Sequence, residues 1–232
     1  MPLIPLTALT MVAFAANSIL NRLALADGSI GAVEFAALRV VSGALVLCLL
    51  VAVGSGWAAL RLGDVQARLI PVGALSLYMF AFSLSYVVLE AGVGALILFG
   101  GVQVTMFAAA VIAREPVPLW RWVGSALALC GLAWILWPSG AAAPPLFWSG
   151  LMAAAAFGWG IYSLWGRSAG PPLPATAANF ALAVPIAVAL FALLVGPAFV
   201  ISPKGAVLAV LSGAVTSGLG YALWYSVLPR LD

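Results

Sequence analysis

The sequence predicts an all-α polytopic membrane protein, and three observations carry that prediction. Nine basic and six acidic residues are the only charges among 232 residues, a charged share of 6%. The apolar share is 66% and the mean hydropathy is +1.22. A soluble domain is about a quarter charged, so this chain cannot clothe a water-facing surface, and a soluble enzyme is excluded. The apolar runs do not alternate as the strands of a membrane barrel do; Gly43-Ala44-Leu45-Val46-Leu47, inside one long apolar stretch, is the clearest case. His is absent, which excludes a Ser-His dyad, a His-ligated zinc site and a bis-His haem. Cys48 and Cys130 both lie in apolar runs and read as small core hydrophobes, not as a disulfide or metal pair. The basic residues stand singly, so no nucleic-acid patch is expected.

A hydrocarbon core of about 30 Å needs about 20 apolar residues per helix. Eight spans fit, at 3–26, 31–53, 67–89, 92–113, 119–138, 146–167, 175–200 and 206–228. Turn chemistry separates them. Asp27-Gly28-Ser29 ends the first, and the link from Gly54 to Arg68 follows the second. Arg114-Glu115-Pro116 closes the fourth, and Pro138-Ser139-Gly140 to Pro144-Pro145 forms an uncharged hinge. Gly170-Pro171-Pro172 and Ser202-Pro203-Lys204-Gly205 mark the last two breaks. The first span lacks a basic leader and carries Asn17, Asn21 and Arg22, so it does not read as a cleaved signal. Arg61, Arg68, Arg114, Arg121, Arg167 and Arg230 fall on the amino-terminal side, against Arg22, Arg39 and Lys204 on the other. That bias predicts an inner (plasma) membrane protein with a cytoplasmic amino terminus.

The chain also repeats itself. Phe14 to Arg22 aligns with Trp159 to Arg167, and Met79 to Glu90 aligns with Tyr221 to Asp232. The repeat unit is therefore about five helices. An odd unit makes its second copy enter the membrane from the opposite side, as an inverted repeat. Residues 1–143 hold the first five-helix copy, and residues 144–232 hold three helices of the second. The expected whole is a ten-helix protein, of which eight transmembrane helices are present here.

Ordered motifs along most of the chain carry a resemblance. They are Asn17-Ser18 with Ala24-Leu25-Ala26-Asp27-Gly28, Ala36-Ala37-Leu38-Arg39, and Ala91-Gly92-Val93-Gly94-Ala95-Leu96-Ile97. Arg114-Glu115-Pro116, Trp122-Val123-Gly124 with Gly131, and Gly220-Tyr221-Ala222-Leu223-Trp224-Tyr225 complete the set. The pattern resembles the EamA-type transporters of the drug/metabolite transporter superfamily. The resemblance implies ten helices in two inverted halves and export or exchange of small metabolites, often amino acids. The ninth and tenth helices of that pattern are missing.

Polar side chains at membrane depth need partners or a water-filled cavity. Arg39 lies roughly 12 Å into the second span at 1.5 Å per residue. It either meets a substrate carboxylate in a cavity or pairs with Glu34 or Glu90. Gln103 lies mid-way along the fourth span, and Asn17 and Ser18 have Tyr162 and Ser163 as repeat mates. Tyr78, Phe82, Trp159, Tyr162, Tyr221 and Trp224 lie deep enough to line an aromatic path. Trp57, Trp120, Trp122, Trp134, Trp137 and Trp148 read as an interfacial belt. Gly100-Gly101 and Pro185 are candidate bends, with helix packing as the competing role.

The expected substrate-binding set is Asn17, Ser18, Arg39, Tyr78, Phe82, Gln103, Trp159, Tyr162, Ser163 and Trp224. No nucleophile-base pair, phosphate loop or metal-ligand group is legible, so no enzyme activity, cofactor or metal is expected. The reading is a secondary carrier working by alternating access, with the lipid bilayer and a small-molecule substrate as partners. Amino acids and a homodimer stay open. The rival reading is a non-transporting membrane module that needs a partner to complete its fold.

Overall fold

The computed structural model describes residues 3–60, 62–136, 143–166, 170–195, 197 and 199–227, and at 121, 132, 135, 136 and 225–227 the backbone alone. It is all-helical. In chain order the rods are α1 (Leu3–Leu25), α2 (Ala32–Ser55), α3 (Val65–Ser85), α4 (Ala91–Ile112), α5 (Leu119–Leu136), α6 (Leu146–Gly166) and α7 (Pro172–Leu194). The last rod is compound: α8 (Pro203–Leu211), a π-helical segment (Ser212–Leu219) and α9 (Gly220–Val227). A short 3-10 turn at Trp57–Ala59 follows α2.

Among the described residues, six rods are long and apolar enough to cross a bilayer: α1, α2, α3, α4, α7 and the stretch Pro203–Trp224. The protein is thus a polytopic membrane protein. α5 and α6 occupy the positions of the fifth and sixth expected spans. The 21 residues of α6 reach about 31 Å, yet its apolarity is diluted by Ser149, Gly158, Trp159, Gly160, Tyr162 and Ser163. Several of these face an internal cavity, so α6 has little need of a uniformly lipid-like composition.

The third and seventh spans end earlier than expected, at Ser85 and Leu194 instead of 89 and 200, and the last two rods start earlier than expected for one physical reason. Pro172 and Pro203 do not break helices; each sits in a first turn, where the missing N–H would be unpaired anyway. Ser202 caps the last rod by accepting from Gly205 N at 3.0 Å, and Asp64 caps α3 by accepting from Gln66 N at 2.9 Å. Neither expected bend interrupts its helix: α4 runs unbroken through Gly100-Gly101 and α7 through Pro185. The departure from α-geometry falls instead at Ser212–Leu219. The Pro138-Ser139-Gly140 hinge, Trp137, Arg167, Arg230 and Asp232 lie outside the described residues.

α2 packs along α7, α3 along α6, and α1 along the compound rod, while α4 leans on α6. Phe35, Val40 and Leu47 of α2 and Phe180, Ala183 and Ala187 of α7 are buried where those two helices meet. α5 contacts α4 and is otherwise peripheral, its Trp120 and Trp134 exposed. One helix end face is tied by backbone pairing between Ile30 and Ile201. There Gly31 N donates to Val200 O at 3.1 Å and Ser202 N to Ser29 O at 2.9 Å. Lys204 pairs with Asp27 on the same face, and Arg22 with Glu90 at 2.6 Å. Lys204 foremost, and then Ser29, hold the Asp27 carboxyl well below the usual carboxylate range. On the opposite face Arg68 donates to Asn179 Oδ1 at 2.8 Å and to Ala175 O at 3.2 Å.

Close approach of the last rod to α2 depends on Gly213. A Cβ there would stand 2.0 Å from Ser42 Oγ and 2.3 Å from Arg39 O. Gly73, by contrast, faces open space. Gly213→Ala should therefore lower stability by about 1–3 kcal/mol, the cost of overpacking, whereas Gly73→Ala should leave it within about 0.5 kcal/mol. Thermal unfolding of both variants in detergent checks this; equal melting temperatures for the two would refute the packing assignment.

Candidate functional site

Arg39 is the largest fully buried side chain, with 1% of its surface exposed. Its Nε donates to Ser217 Oγ at 3.2 Å and its Nη2 to Tyr78 Oη at 2.9 Å. The guanidinium carbon stands 5.1 Å from the ring centre of Tyr78 and 5.0 Å from that of Phe82, within cation–π range. Nη1 is buried without a hydrogen-bond partner. Neither acidic partner weighed from the sequence is there. Glu34 accepts from Val200 N at 3.2 Å, and Glu90 is taken by Arg22. Among the described residues no carboxylate pairs with Arg39.

A polar network surrounds this cation. Asn17 Oδ1 accepts from Ser212 Oγ at 2.5 Å and from Thr216 Oγ1 at 3.1 Å. Asn21 Oδ1 accepts from Ser83 Oγ at 2.9 Å, and Asn21 Nδ2 donates to Asn17 O at 2.9 Å. Four rods meet here, and the π segment explains how. Its wider turn brings Ser212 and Thr216 to α1 and Ser217 to α2; such π insertions recur at functional sites. The single Thr216 hydroxyl proton is shared between Asn17 Oδ1 and Ser212 O, which lies 2.8 Å away inside the segment itself.

Beside the network lies a cavity of about 510 Å³, in the range of small-molecule sites. Nine of the ten residues expected from the sequence line it: Asn17, Arg39, Tyr78, Phe82, Gln103, Trp159, Tyr162, Ser163 and Trp224. Ser18 does not. It sits about 100° further round α1 than Asn17 and is buried elsewhere in the bundle. Tyr221, expected on the aromatic path, lines the wall as well, and Phe14, Thr216 and Ser217 join it without having been expected. The cluster Ser212-Gly213, Thr216-Ser217-Gly218 inside an apolar span was the signal that would have found the first two polar groups.

Aromatic rings form most of the wall. Trp159 is the hub, 4.6 Å from Tyr78, 5.3 Å from Tyr221 and 6.0 Å from Phe14 between ring centres. Trp224 closes on Phe14 at 6.3 Å. Trp159 and Trp224 are half-buried and Tyr162 is buried, and all three line the cavity. The lining continues through Met11 and Met106 to Gly166, Gly170 and Pro172 at the turn between α6 and α7. The cavity thus extends from mid-bundle towards the face where α1 begins. Towards the other face Phe35, Ala36, Tyr86 and Leu89 are buried beneath the Ile30–Ile201 tie.

Uncharacterized protein PA1977 of Pseudomonas aeruginosa is 46% identical to the chain over 226 residues, covering 97% of this chain and 77% of that protein. No family model matches the chain, and no solved structure matches it.

The Tyr78 hydroxyl is the acceptor that holds Arg39 in place. Tyr78→Phe keeps the ring but leaves Nη2 unpaired, and a hydrogen bond to a charged group is worth about 1.5–3 kcal/mol. The variant should lose stability of that order in thermal or chemical unfolding. Unchanged unfolding would show that Arg39 does not lean on Tyr78.

Proposed function

The chain belongs to the family of the uncharacterized Pseudomonas aeruginosa protein PA1977, and from that premise we propose that it works as a secondary carrier of small metabolites. The observation that carries the reading is Arg39: a buried guanidinium in the wall of a solute-sized cavity, its Nη1 without a hydrogen bond and with no carboxylate partner among the described residues. A charged side chain at the bilayer centre costs about 2.5–3.5 kcal/mol on insertion scales. A structural role would be served more cheaply by a neutral residue or a paired one. A solute site gives that cost a purpose.

The proposed architecture is the inverted repeat of the EamA type, eight helices of ten. Several features support it. The aligned mates Phe14 and Trp159 touch, with ring centres 6.0 Å apart. The aligned pairs Asn17 with Tyr162 and Phe82 with Trp224 all line the one cavity. α1 packs on the last rod as α3 packs on α6, and α2 packs on its mate α7. This is the pairing a two-fold axis between α2 and α7 produces.

The proposed mechanism is alternating access. The arginine count puts the amino terminus, Arg68 and Arg114 in the cytoplasm of the inner membrane. The cavity then reaches towards the cytoplasm, and the Ile30–Ile201 tie with the Lys204–Asp27 and Arg22–Glu90 pairs shuts the outer end. Transport requires that tie to part. No enzymatic step enters this cycle.

A disulfide tests it. Ile30→Cys with Ile201→Cys, in a background lacking Cys48 and Cys130, places two thiols across an antiparallel backbone pair, within bonding reach. Proteoliposomes of this chain and of the Pseudomonas relative carrying the equivalent pair are loaded with a panel of carboxylates and amino acids. Counterflow should stop on oxidation and return on reduction. Flux that ignores the cross-link would refute the outer gate, and no flux of any panel member by either protein would refute the carrier reading.

A further inference from the structure

The charge inventory of the cavity says more than that a solute binds. Resting on the carrier reading above, we infer that this site selects organic monoanions, carboxylates with an apolar or aromatic body, and discriminates against zwitterions and amines of the same skeleton. Amino acids are then poor ligands.

Arg39 is the one charged residue among the described residues lining the cavity. Every described acidic side chain is elsewhere. Asp27 and Glu90 are paired on the far face, Glu34 accepts from Val200 N, Asp64 caps α3, and Glu115 lies against a separate pocket between α4 and α5. Among the described lining residues the site therefore holds a single positive charge, whose Nη1 is buried without a hydrogen-bond partner and meets a solute once the guanidinium turns towards the cavity. A carboxylate satisfies both in one contact, and charge-assisted hydrogen bonds of this kind are about twice as strong as neutral ones.

An ammonium group has no such reception. It brings three donors and needs acceptors in a water-poor site. Asn17 Oδ1 is already taken by Ser212 and Thr216, and the Tyr78 hydroxyl already accepts from Arg39. The other polar groups of the wall, Gln103, Ser163, Thr216 and Ser217, are neutral, and the rest is mostly ring faces. Cation–π contact returns about 0.5–2 kcal/mol, whereas removing an ion from water costs several kcal/mol even after relaxation. The like charge of Arg39 adds repulsion. Trp159, Tyr221, Trp224 and Phe14 instead suit an apolar ring, which stacks on them without a desolvation penalty.

The test is equilibrium binding of three tritiated ligands of one skeleton to the purified full chain in nanodiscs. They are 3-phenylpropanoate, L-phenylalanine and 2-phenylethylamine. The acid should bind at least tenfold more tightly than the other two. Arg39→Gln should reduce the preference to less than threefold, and Arg39→Lys should keep part of it. If Arg39→Gln fails to fold, the order on the unaltered chain decides alone. Phenylalanine or the amine binding as tightly as the acid would overturn the inference while leaving the carrier reading intact. An acid that binds Arg39→Gln equally well, or no binding by any of the three, would overturn it too. The carrier reading itself falls only with the counterflow experiment.

Discussion

A guanidinium held inside an apolar helical bundle, with no carboxylate partner among the described residues, is the constraint on which the rest of the site depends. Arg39 must be compensated within reach of its own side chain, and the bundle supplies that compensation from several directions. Two ring faces, Tyr78 and Phe82, lie against it. Two hydroxyls, from Tyr78 and Ser217, accept from it. The compensation is incomplete, because Nη1 has no partner. That shortfall is what distinguishes Arg39 from Arg22 and Arg68, whose charges are met by Glu90 and by Asn179 at the helix ends.

The backbone is arranged to serve this cation. Ser217 reaches Arg39 because the last rod widens into a π segment, and that rod approaches α2 closely because position 213 is glycine. The same widening brings Ser212 and Thr216 to Asn17, which fixes the polar side of the cavity. α6 supplies the opposite side with Trp159 and Tyr162. Packing, hydrogen bonding and cavity shape are thus one arrangement. The tie between Ile30 and Ile201 adds the asymmetry that leaves the cavity reaching towards only one face.

Much of this was legible in the sequence because membrane chemistry is severe. With 6% charged residues, the fold class and the positions of the helices follow from the solvent alone. Asn17, Arg39 and Gln103 stood out because a polar group in an apolar run needs a reason. Arg39's partners were not legible. Glu34 and Glu90 were nearer in sequence pattern than Ser217, which comes from 178 positions away. The π segment was missed because its hydrogen-bond register has no periodicity signature, although its serines, threonine and glycines were in plain sight. Ser18 was grouped with Asn17 by adjacency, where helical geometry sends neighbours to different faces. Pro172 and Pro203 were read as breaks because first-turn proline and loop proline look alike until the cap is seen.

The account's central claim is that Arg39 is a ligand-binding cation and not a structural one. It is tested most directly by a cryo-electron microscopy structure of the chain in nanodiscs saturated with 4-iodobenzoate, whose iodine marks the ring in the map. The account predicts the carboxylate within hydrogen-bond distance of the Arg39 guanidinium and the iodinated ring among Trp159, Tyr221 and Trp224. An Arg39 closed off by a carboxylate of the protein itself, with the iodine elsewhere, would contradict it.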